Sequence, residues 1–463
     1  MGEKLHNQIK THVTIVGAGL TGLTTAFYLR QRGIPFKLIE KEDRVGGAID
    51  TIEEDGFTIE KGPNTGVISH PEVVELFDDL KGLCELEMAQ SAVNRRLIWK
   101  GDRWHALPSG LISGLSTPLF SLYDKFRLLG EPFRKRGTDP NENLASLVKR
   151  RMGKSFLDYA VDPFILGIYS GDPEYLIPRF ALPKLYNLEQ TYGSFIGGAI
   201  KKGRVKKSER EKKATRKIFS VKGGLSNLTN ALAEKIGKEN ILLNTQNISI
   251  DFDIVYKITA ANGLNISSDV VVTTAGSYEL PKMLEFIETE YHKAFVSLPY
   301  AKVAQISLGF KKWEGIDLNA FGGLVPSVEK RNVLGILFPS SFLSGRCPTD
   351  GALLSVFVGG YRNPDIVNLN DIDLLNKIKP DLIQMLGLGK FNPDIIRIFR
   401  YSHAIPQYGR NTEVRLKTIC DLQERYPGLI LAGNMRNGIG MADRIKQGKD
   451  IAESIITKQK YNG

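Results

Sequence analysis

The sequence predicts a mixed α/β protein in three parts: a parallel sheet flanked by helices, a half-exposed antiparallel sheet, and a helical insertion. Three observations lead there. The chain opens on an apolar strand that feeds a glycine turn and a helix. It closes on a second strand, glycine turn and helix. Between them, residues 296–360 carry stretches of alternating apolar and polar character, the pattern of a sheet with one wet face.

The opening run is His12-Val13-Thr14-Ile15-Val16 followed by Gly17, Ala18, Gly19, Leu20, Thr21 and Gly22, a G-x-G-x-x-G turn. Gly17 permits the tight turn, Gly19 lets backbone approach a pyrophosphate, and Gly22 lets the helix pack close to the strand. The helix N-terminus offers free N–H groups and a positive dipole end to phosphate. A second strand, Phe36-Lys37-Leu38-Ile39, ends on Glu40, placed to accept hydrogen bonds from ribose hydroxyls. Strand, turn, helix, second strand and terminal acid together predict a Rossmann-like dinucleotide site.

The residues after Glu40 select the dinucleotide. Lys41-Glu42-Asp43-Arg44-Val45 leads into Gly46, Gly47 and Ala48, where a nicotinamide domain usually continues into another βαβ unit. An Asp55-Gly56 turn, a short strand (Phe57-Thr58-Ile59) and Gly62, Pro63, Asn64 and Thr65 come next. A second close backbone approach with a cation nearby suits FAD lying extended across the domain.

The chain has 463 residues, enough for two or three domains, and an ordinary globular composition with 42% hydrophobic residues. Cys84, Cys347 and Cys420 lie far apart and form no metal motif; an odd thiol count argues for a reducing compartment. The six histidines form no H-x-x-H or H-E-x-x-H pair, so no metal is expected. No apolar stretch of signal-peptide type precedes the first strand, and Met1-Gly2 with His6 is a poor myristoylation start. The longest uncharged run, between Arg103 and Asp124, is broken by Pro108 and Pro118; it reads as a surface-lying apolar segment rather than a span. A cytoplasmic location is expected, at most peripheral on the inner face of the cytoplasmic membrane.

The net charge of +11 is mostly local: Lys201 to Lys217 holds ten Lys or Arg against Glu209 and Glu211. Such a run reads as a solvated loop, with anionic lipid binding the functional alternative. No aromatic interrupts it before Phe219, which argues against nucleic acid.

Along the chain, 96–184 reads as mainly helical, with Asn143 to Tyr159 at helical spacing. A helix ending near Gly237 follows Gly223-Gly224. Strands are predicted at Ile241 to Leu243, Ile248 to Ile250, Val255 to Thr259 and Val270 to Thr274, the last returning the chain to the nucleotide domain. At the C-terminal end, Leu429-Ile430-Leu431-Ala432 runs into Gly433, Asn434, Met435, Arg436, Asn437, Gly438, Ile439, Gly440 and Met441, with a helix predicted from Asp443. In a flavoprotein this second helix terminus can face the isoalloxazine and stabilise negative charge at N1/C2=O on reduction.

With these motifs in place the chain resembles the oxygen-dependent protoporphyrinogen oxidases, within the monoamine-oxidase-like flavoprotein superfamily. The superfamily share is the nucleotide fingerprint, Arg44-Val45-Gly46-Gly47 and Gly62-Pro63. The more specific pieces are Asn94-Arg95 with His105-Ala106-Leu107-Pro108, Gly167-Ile168-Tyr169-Ser170-Gly171-Asp172-Pro173-Glu174 with Pro183-Lys184-Leu185, Phe321 to Ser327, and Ile405-Pro406-Gln407-Tyr408. The resemblance implies an FAD domain from discontinuous segments (1–88, 218–280 and 402–463). It implies an antiparallel-sheet substrate domain (89–95, 185–217 and 281–401) and a helical, membrane-contacting insertion (96–184). It implies oxidation of a porphyrinogen by molecular oxygen with release of H2O2, and ferrochelatase as a partner. Carried onto this chain, Gly17 to Gly22, Glu40, Lys41, Arg44, Gly46, Gly47, Ala48, Gly62, Pro63, Asn64 and Thr65 would hold FAD, and Ile248 would pair its backbone with adenine. Gly433, Asn434, Ile439, Gly440 and Met441 would lie by the flavin. Arg95 would pair a substrate propionate, and Phe321, Leu324 and the Gly171 turn would wall the macrocycle.

The residues suit that chemistry. A porphyrinogen is a largely apolar disc with carboxylate arms, so its pocket calls for apolar walls (Phe321, Leu324, Phe357 and Val358) and cations at the rim. Arg95 can make a bidentate contact to a propionate, though an arginine beside Arg96 also reads as plain surface. The redox chemistry belongs to the flavin, and no general base is named; His105 and His403 are single histidines of the structural kind. A sister activity on coproporphyrinogen III remains open, as does a non-catalytic tetrapyrrole carrier. An amine oxidase fits less well, because Asn434 to Asp443 holds no aromatic residue to frame the flavin; a carotenoid desaturase is similarly weak.

Overall fold

A computed structural model of the chain describes residues 8–108, 111–204 and 206–462. The readings made on Met1, Gly2 and His6 lie outside the described residues, as do Ser109, Gly110 and Val205 within the apolar and basic segments.

The first sheet is built from distant pieces of sequence. Strands Ile241–Leu242, Phe36–Ile39, Ile9–Val16 and Asn265–Thr273 lie side by side and parallel. Val13, Ile15, Leu38, Val271 and Val272 are fully buried, as a sheet covered on both faces requires. Strand Asn265–Thr273 is long enough to serve two partners on its far edge. Its first half pairs antiparallel with Tyr256–Thr259, and its last residues pair parallel with Leu429–Leu431. The N-terminal glycine turn, the return at Thr274 and the C-terminal glycine turn therefore all leave from the same end of adjacent strands.

The second sheet runs, strand by strand, Ile395–Pro406, Tyr300–Phe310, Ala352–Gly359, Val333–Leu337, Gly322–Leu324, Arg96–Lys100 and Arg103–Ala106. It is antiparallel except that Gly322–Leu324 pairs parallel with Arg96–Lys100. Residues 96–106, expected to be helical, are thus strands here; Leu97, Ile98 and Trp99 are all buried, so the segment closes this sheet instead of opening the insertion. One face packs on helix Asp371–Leu386 through Leu374, Ile378 and Leu382, and the other faces the nucleotide-binding half.

The helical part differs from expectation in two further ways. The helix predicted over Asn143 to Tyr159 ends at Arg151. Gly153 has φ +101°, and a Cβ there would lie 2.0 Å from Asp124 Oδ1, whose carboxylate instead accepts Ser155 N–H at 2.7 Å. The chain resumes as Lys154–Phe156, a wide turn and helix Asp162–Tyr169. Helices Pro183–Tyr192 and Phe195–Gly203, expected with the substrate sheet, are pinned to the helical part. Glu131 and Arg151, both fully buried, pair at 2.6 Å; Glu131 also accepts Ser194 Oγ and the N–H groups of Phe195 and Ile196.

The basic run is more ordered than a free loop. Lys201–Gly203 ends a helix, and Glu209–Lys212 is a short helix with a Ser208–Glu211 capping box. Arg210 reaches Glu72 at 2.8 Å and Glu75 at 2.7 Å on helix Glu72–Asp79.

Candidate functional site

The N-terminal turn divides its glycines between protein and ligand. Gly17 has φ +101°, and a Gly22 Cβ would lie 2.0 Å from the Gly17 carbonyl, so these two are closed by the fold itself. A Cβ on Gly19 would meet nothing within 4 Å, which leaves its backbone open to a close ligand. Ala18, Leu20 and Thr21 are buried beside it. This split matches a pyrophosphate cradle at the N-terminus of helix Leu20–Gln31.

The Gly46-Gly47 loop lies on that turn backbone to backbone. Gly46 bridges to Gly19, its N–H donates to the Ala18 carbonyl at 2.9 Å, and a Gly47 Cβ would sit 3.2 Å from Gly19 Cα. Arg44 is not a free cation here. It donates to the carbonyls of Val45, Ile49 and Gly47 at 2.9–3.1 Å and shapes the loop that carries them. Glu40 is buried, with its carboxylate accepting Ala18 N–H at 2.7 Å and Glu42 N–H at 3.1 Å. Its remaining lone pairs are the ones a ribose diol needs. Lys41 reaches Glu279 at 3.9 Å, in solvent. Ile248 is half-buried just before strand Ser249–Phe252, at the expected edge.

Gly62 to Thr65 form a third close approach. Gly62 has φ +86°, with the Ala48 carbonyl 2.3 Å from where its Cβ would be. Asn64 is buried, donates to the Gly62 carbonyl at 3.2 Å and accepts Ser355 Oγ at 2.8 Å; Pro63 and Thr65 are half-buried beside it.

The C-terminal turn meets the N-terminal one through Thr274. A Gly433 Cβ would lie 2.8 Å from the Thr274 carbonyl. Helix Met441–Asn462 then crosses helix Leu20–Gln31 closely, with Thr25 Oγ1 donating to the Gly448 carbonyl at 3.1 Å and Thr21 Oγ1 to the Arg444 carbonyl at 3.3 Å. Asp443 caps the turn at the Gly440 N–H, at 3.0 Å, and faces His70 at 3.0 Å. Burial alone would raise its pKa, but the bonds from His70 and Gly440 outweigh it and hold the carboxyl below its ordinary range. Asn434 and Ile439 are half-buried, Met441 is buried and Gly440 is exposed.

On the opposing sheet, Arg95, Phe321 and Leu324 lie along one strand pair, but Phe321 packs with Ala92, Phe342 and Leu343 while Leu324 packs against a different cluster. Phe321 N–H donates to the Arg95 carbonyl at 2.8 Å, at the head of the parallel pair Gly322–Leu324 and Arg96–Lys100. The Arg95 guanidinium is half-exposed, and its polar contacts among the described residues are long, 3.4 Å to Asp317 Oδ2 and 3.4 Å to the Asn319 carbonyl. Leu324 packs on Gly167, where a Cβ would come within 2.7 Å of it. Ser170, at φ +45°, turns the chain into Gly171. Phe357 faces the nucleotide-binding half, but Val358 does not line this site. It alternates to the other face and is fully buried in the core beneath Asp371–Leu386. His105 sits mid-strand at the sheet edge, and His403 stacks on Tyr278 at 3.8 Å, as structural histidines do.

Sequence reasoning missed the residues that join these pieces. Gln305, fully buried on strand Tyr300–Phe310, donates to the Glu60 carbonyl at 2.7 Å and accepts Gly62 N–H at 3.0 Å. Gln407 donates to the Tyr169 carbonyl at 2.8 Å and closes on Gly171, and Tyr408 Oη donates to the carbonyls of Asn434 and Gly438 at 2.5 and 3.0 Å. The dipeptide Gln407-Tyr408 therefore ties the Gly171 turn to the C-terminal glycine turn. Its only sequence signal was membership of the Ile405 to Tyr408 signature.

Two glycine-hinged helix termini, on the strands that flank Asn265–Thr273, and a buried carboxylate ending the second strand fit a flavin-dependent oxidoreductase. Residues 20–456 match the family described as flavin containing amine oxidoreductase, and the chain belongs to that family. It is an FAD oxidoreductase. It is 29% identical to the mitochondrial protoporphyrinogen oxidase of Nicotiana tabacum, over 98% of this chain and 96% of that one. It is 27% identical to the coproporphyrinogen III oxidase of Bacillus subtilis, over 97% and 98%. A solved structure from Exiguobacterium sp. 255-15, provisionally assigned as a protoporphyrinogen oxidase, superposes with TM-score 0.82 at 23% identity, covering 97% of this chain and 99% of that one. FAD, when bound, supplies two-electron redox chemistry.

Proposed function

We propose that the protein oxidises a porphyrinogen to the porphyrin in haem synthesis, with protoporphyrinogen IX the favoured substrate. Three substrate oxidations remove six electrons and six protons in all, and three molecules of O2 leave as three H2O2. The reading rests on one linkage: Leu324 packs on Gly167 just before the Gly171 turn, and Gln407-Tyr408 links that turn to the C-terminal glycine turn. Names of full-length relatives support it. Arg95, free of a short ion pair, would take a propionate, and Phe321 and Leu324 would hold the apolar disc. The glycine turns would hold FAD, with Gly19, Gly46 and Gly47 against the pyrophosphate, Glu40 on the ribose, Ile248 by adenine, and Asn434 to Met441 by the flavin.

The relative acting on coproporphyrinogen III keeps that substrate as the second reading. Its four propionates call for more cations than one Arg95 with Arg96 beside it. Purified yellow protein, given each porphyrinogen under air, should produce porphyrin fluorescence and peroxide with the higher kcat/KM on protoporphyrinogen. Turnover of neither would sink the proposal.

We also infer contact with an anionic membrane surface. Among the described residues no helix is long and apolar enough to cross a membrane. Exposed apolar side chains lie on Leu122, Tyr123, Phe126, Leu129 and Phe133, on and just after helix Leu122–Leu129, while Leu119 and Phe120 before them are buried. Arg134, Lys135 and Arg136 come directly after. Co-sedimentation with anionic vesicles should fall on Phe126→Glu with Phe133→Glu; unchanged binding would remove this surface.

A further inference from the structure

Three arginines surround the C-terminal glycine turn, with Asp443 the one carboxylate capping it. Arg444 is nine-tenths buried. Its Nη2 donates to three successive carbonyls, Arg436 at 3.0 Å, Asn437 at 3.0 Å and Gly438 at 2.9 Å, and its Nη1 to Gln447 Oε1 at 2.9 Å. Arg415, 1% exposed, donates through Nε to the Met435 carbonyl at 3.2 Å and lies 5.8 Å from the Tyr408 ring. Arg436 is half-buried, with Nη1 3.4 Å from the Leu431 carbonyl. None of the three makes an ion pair among the described residues.

Buried cations normally sit beside carboxylates, because an uncompensated charge in a low dielectric is costly. The nearest acid, Asp443, is already held by His70 and the Gly440 N–H. The groups facing Arg415 are the phenols of Tyr408, Tyr300 and Tyr175, neutral at ordinary pH, and burial lowers its own pKa; Arg444 and Arg436 are lowered by burial as well. The fold thus keeps about three positive charges against one carboxylate around a single turn. All three guanidiniums bind carbonyl oxygens of residues 431–438, so the carbonyl side of the turn is the one they occupy. Asn437 and Gly438 have consecutive positive φ values, +61° and +92°.

We propose that Arg415, Arg436 and Arg444 form an electropositive shell that tunes the reduction potential of the flavin. The two-electron, one-proton reduced flavin carries a negative charge at N1/C2=O, and a cationic surround favours it over the neutral oxidised form. Substrate supplies both electrons and the proton. The inference rests on the flavin's pyrimidine side lying at this turn, as in the proposed function, and does not depend on which substrate is used.

The test is the midpoint potential of the FAD holoprotein, measured by dye-equilibrated reductive titration, with sulfite affinity of the oxidised flavin as a second anion-sensitive probe. Arg436→Gln, half-exposed and expected to fold, and Arg444→Gln remove charge; Arg444→Lys and Arg415→Lys keep it. The neutral variants should have more negative potentials and bind sulfite about tenfold more weakly, and the lysine variants should stay near wild type. Wild-type values in yellow Arg436→Gln and Arg444→Gln would overturn the proposal. So would equal losses in the Gln and Lys variants, since hydrogen bonding rather than charge would then explain the cluster. Should Arg444→Gln fail to hold FAD, Arg436→Gln set against Arg415→Lys decides. A holoprotein that turns over no porphyrinogen would sink the substrate reading and leave these potentials measurable.

Discussion

Thr274 Oγ1 lies 2.5 Å from the point that a Cβ on Gly17 would occupy. The same hydroxyl is shared between the carbonyls of Val16 and Gly17, at 3.1 and 3.2 Å. One residue from the middle of the chain therefore shapes the first glycine turn and, through its carbonyl, the last.

Gly17→Ala should release FAD and lower the melting temperature. The side chain meets a hydroxyl at van der Waals overlap and forces a non-glycine residue to φ +101°, a strain of about 1–3 kcal/mol. Thr274→Ala should restore part of the loss by removing the hydroxyl. Flavin retained per mole after gel filtration is the readout; full retention in the single variant would contradict the steric reading.

Gln305→Leu should destabilise the protein by about 1–3 kcal/mol, because the Gly62 N–H and the Glu60 carbonyl lose their partner inside the fold. FAD affinity should fall with it, since Gly62 leads into Asn64. Gln305→Glu, which keeps the acceptor for Gly62 but not the donor, should lie between. Urea denaturation and flavin titration of the apoprotein measure the two effects.

Arg95→Met should raise KM for a porphyrinogen at least tenfold with little change in kcat, the pattern of lost uniform binding. Stability should move by no more than about 0.5 kcal/mol, as for an exposed side chain without a short partner. Steady-state kinetics with thermal melts checks both.

Acid should loosen the grip of the basic run. The hydrogen bond from Arg210 outweighs the burial penalty and, with a further bond from Lys449, holds the Glu75 carboxyl at about 2. A depressed carboxylate adds stability above its unfolded pKa and loses it as pH falls through the folded one, so the window runs from about 4.5 down to about 2. Because Arg210 is half-exposed, solvent screening limits the effect to about 1–2 kcal/mol. Glu75→Gln should flatten the stability-versus-pH curve in that window, measured by urea titration from pH 5 to pH 2.5. A wild-type slope in the variant would refute it.

The nucleotide half was legible because its signals are local. Gly17, Gly19, Gly22 and Glu40 fall within one strand–turn–helix–strand unit, and the Gly22–Gly17 contact is set within it. The antiparallel sheet was legible from alternation, but its last strands, Arg96–Lys100 and Arg103–Ala106, were not. Leu97-Ile98-Trp99 is a continuous apolar run that suits a buried helix as well as a strand. The helix break at Gly153 was hidden for a related reason: apolar spacing continued across it, and only Asp124, about thirty residues away, uses the left-handed turn.

By itself the sequence determined that a strand, a glycine turn and a helix stand at each end of the chain, because those signals are carried within a dozen residues. Tertiary structure alone decided which ordinary polar residues hold those ends together. Gln305 reaches Gly62 across 243 positions, and Thr274 reaches Gly17 across 257. Nothing in the spacing of a glutamine or a threonine announces such a partner; the contact exists only once two sheets have packed and the buried amide or hydroxyl must find a hydrogen bond.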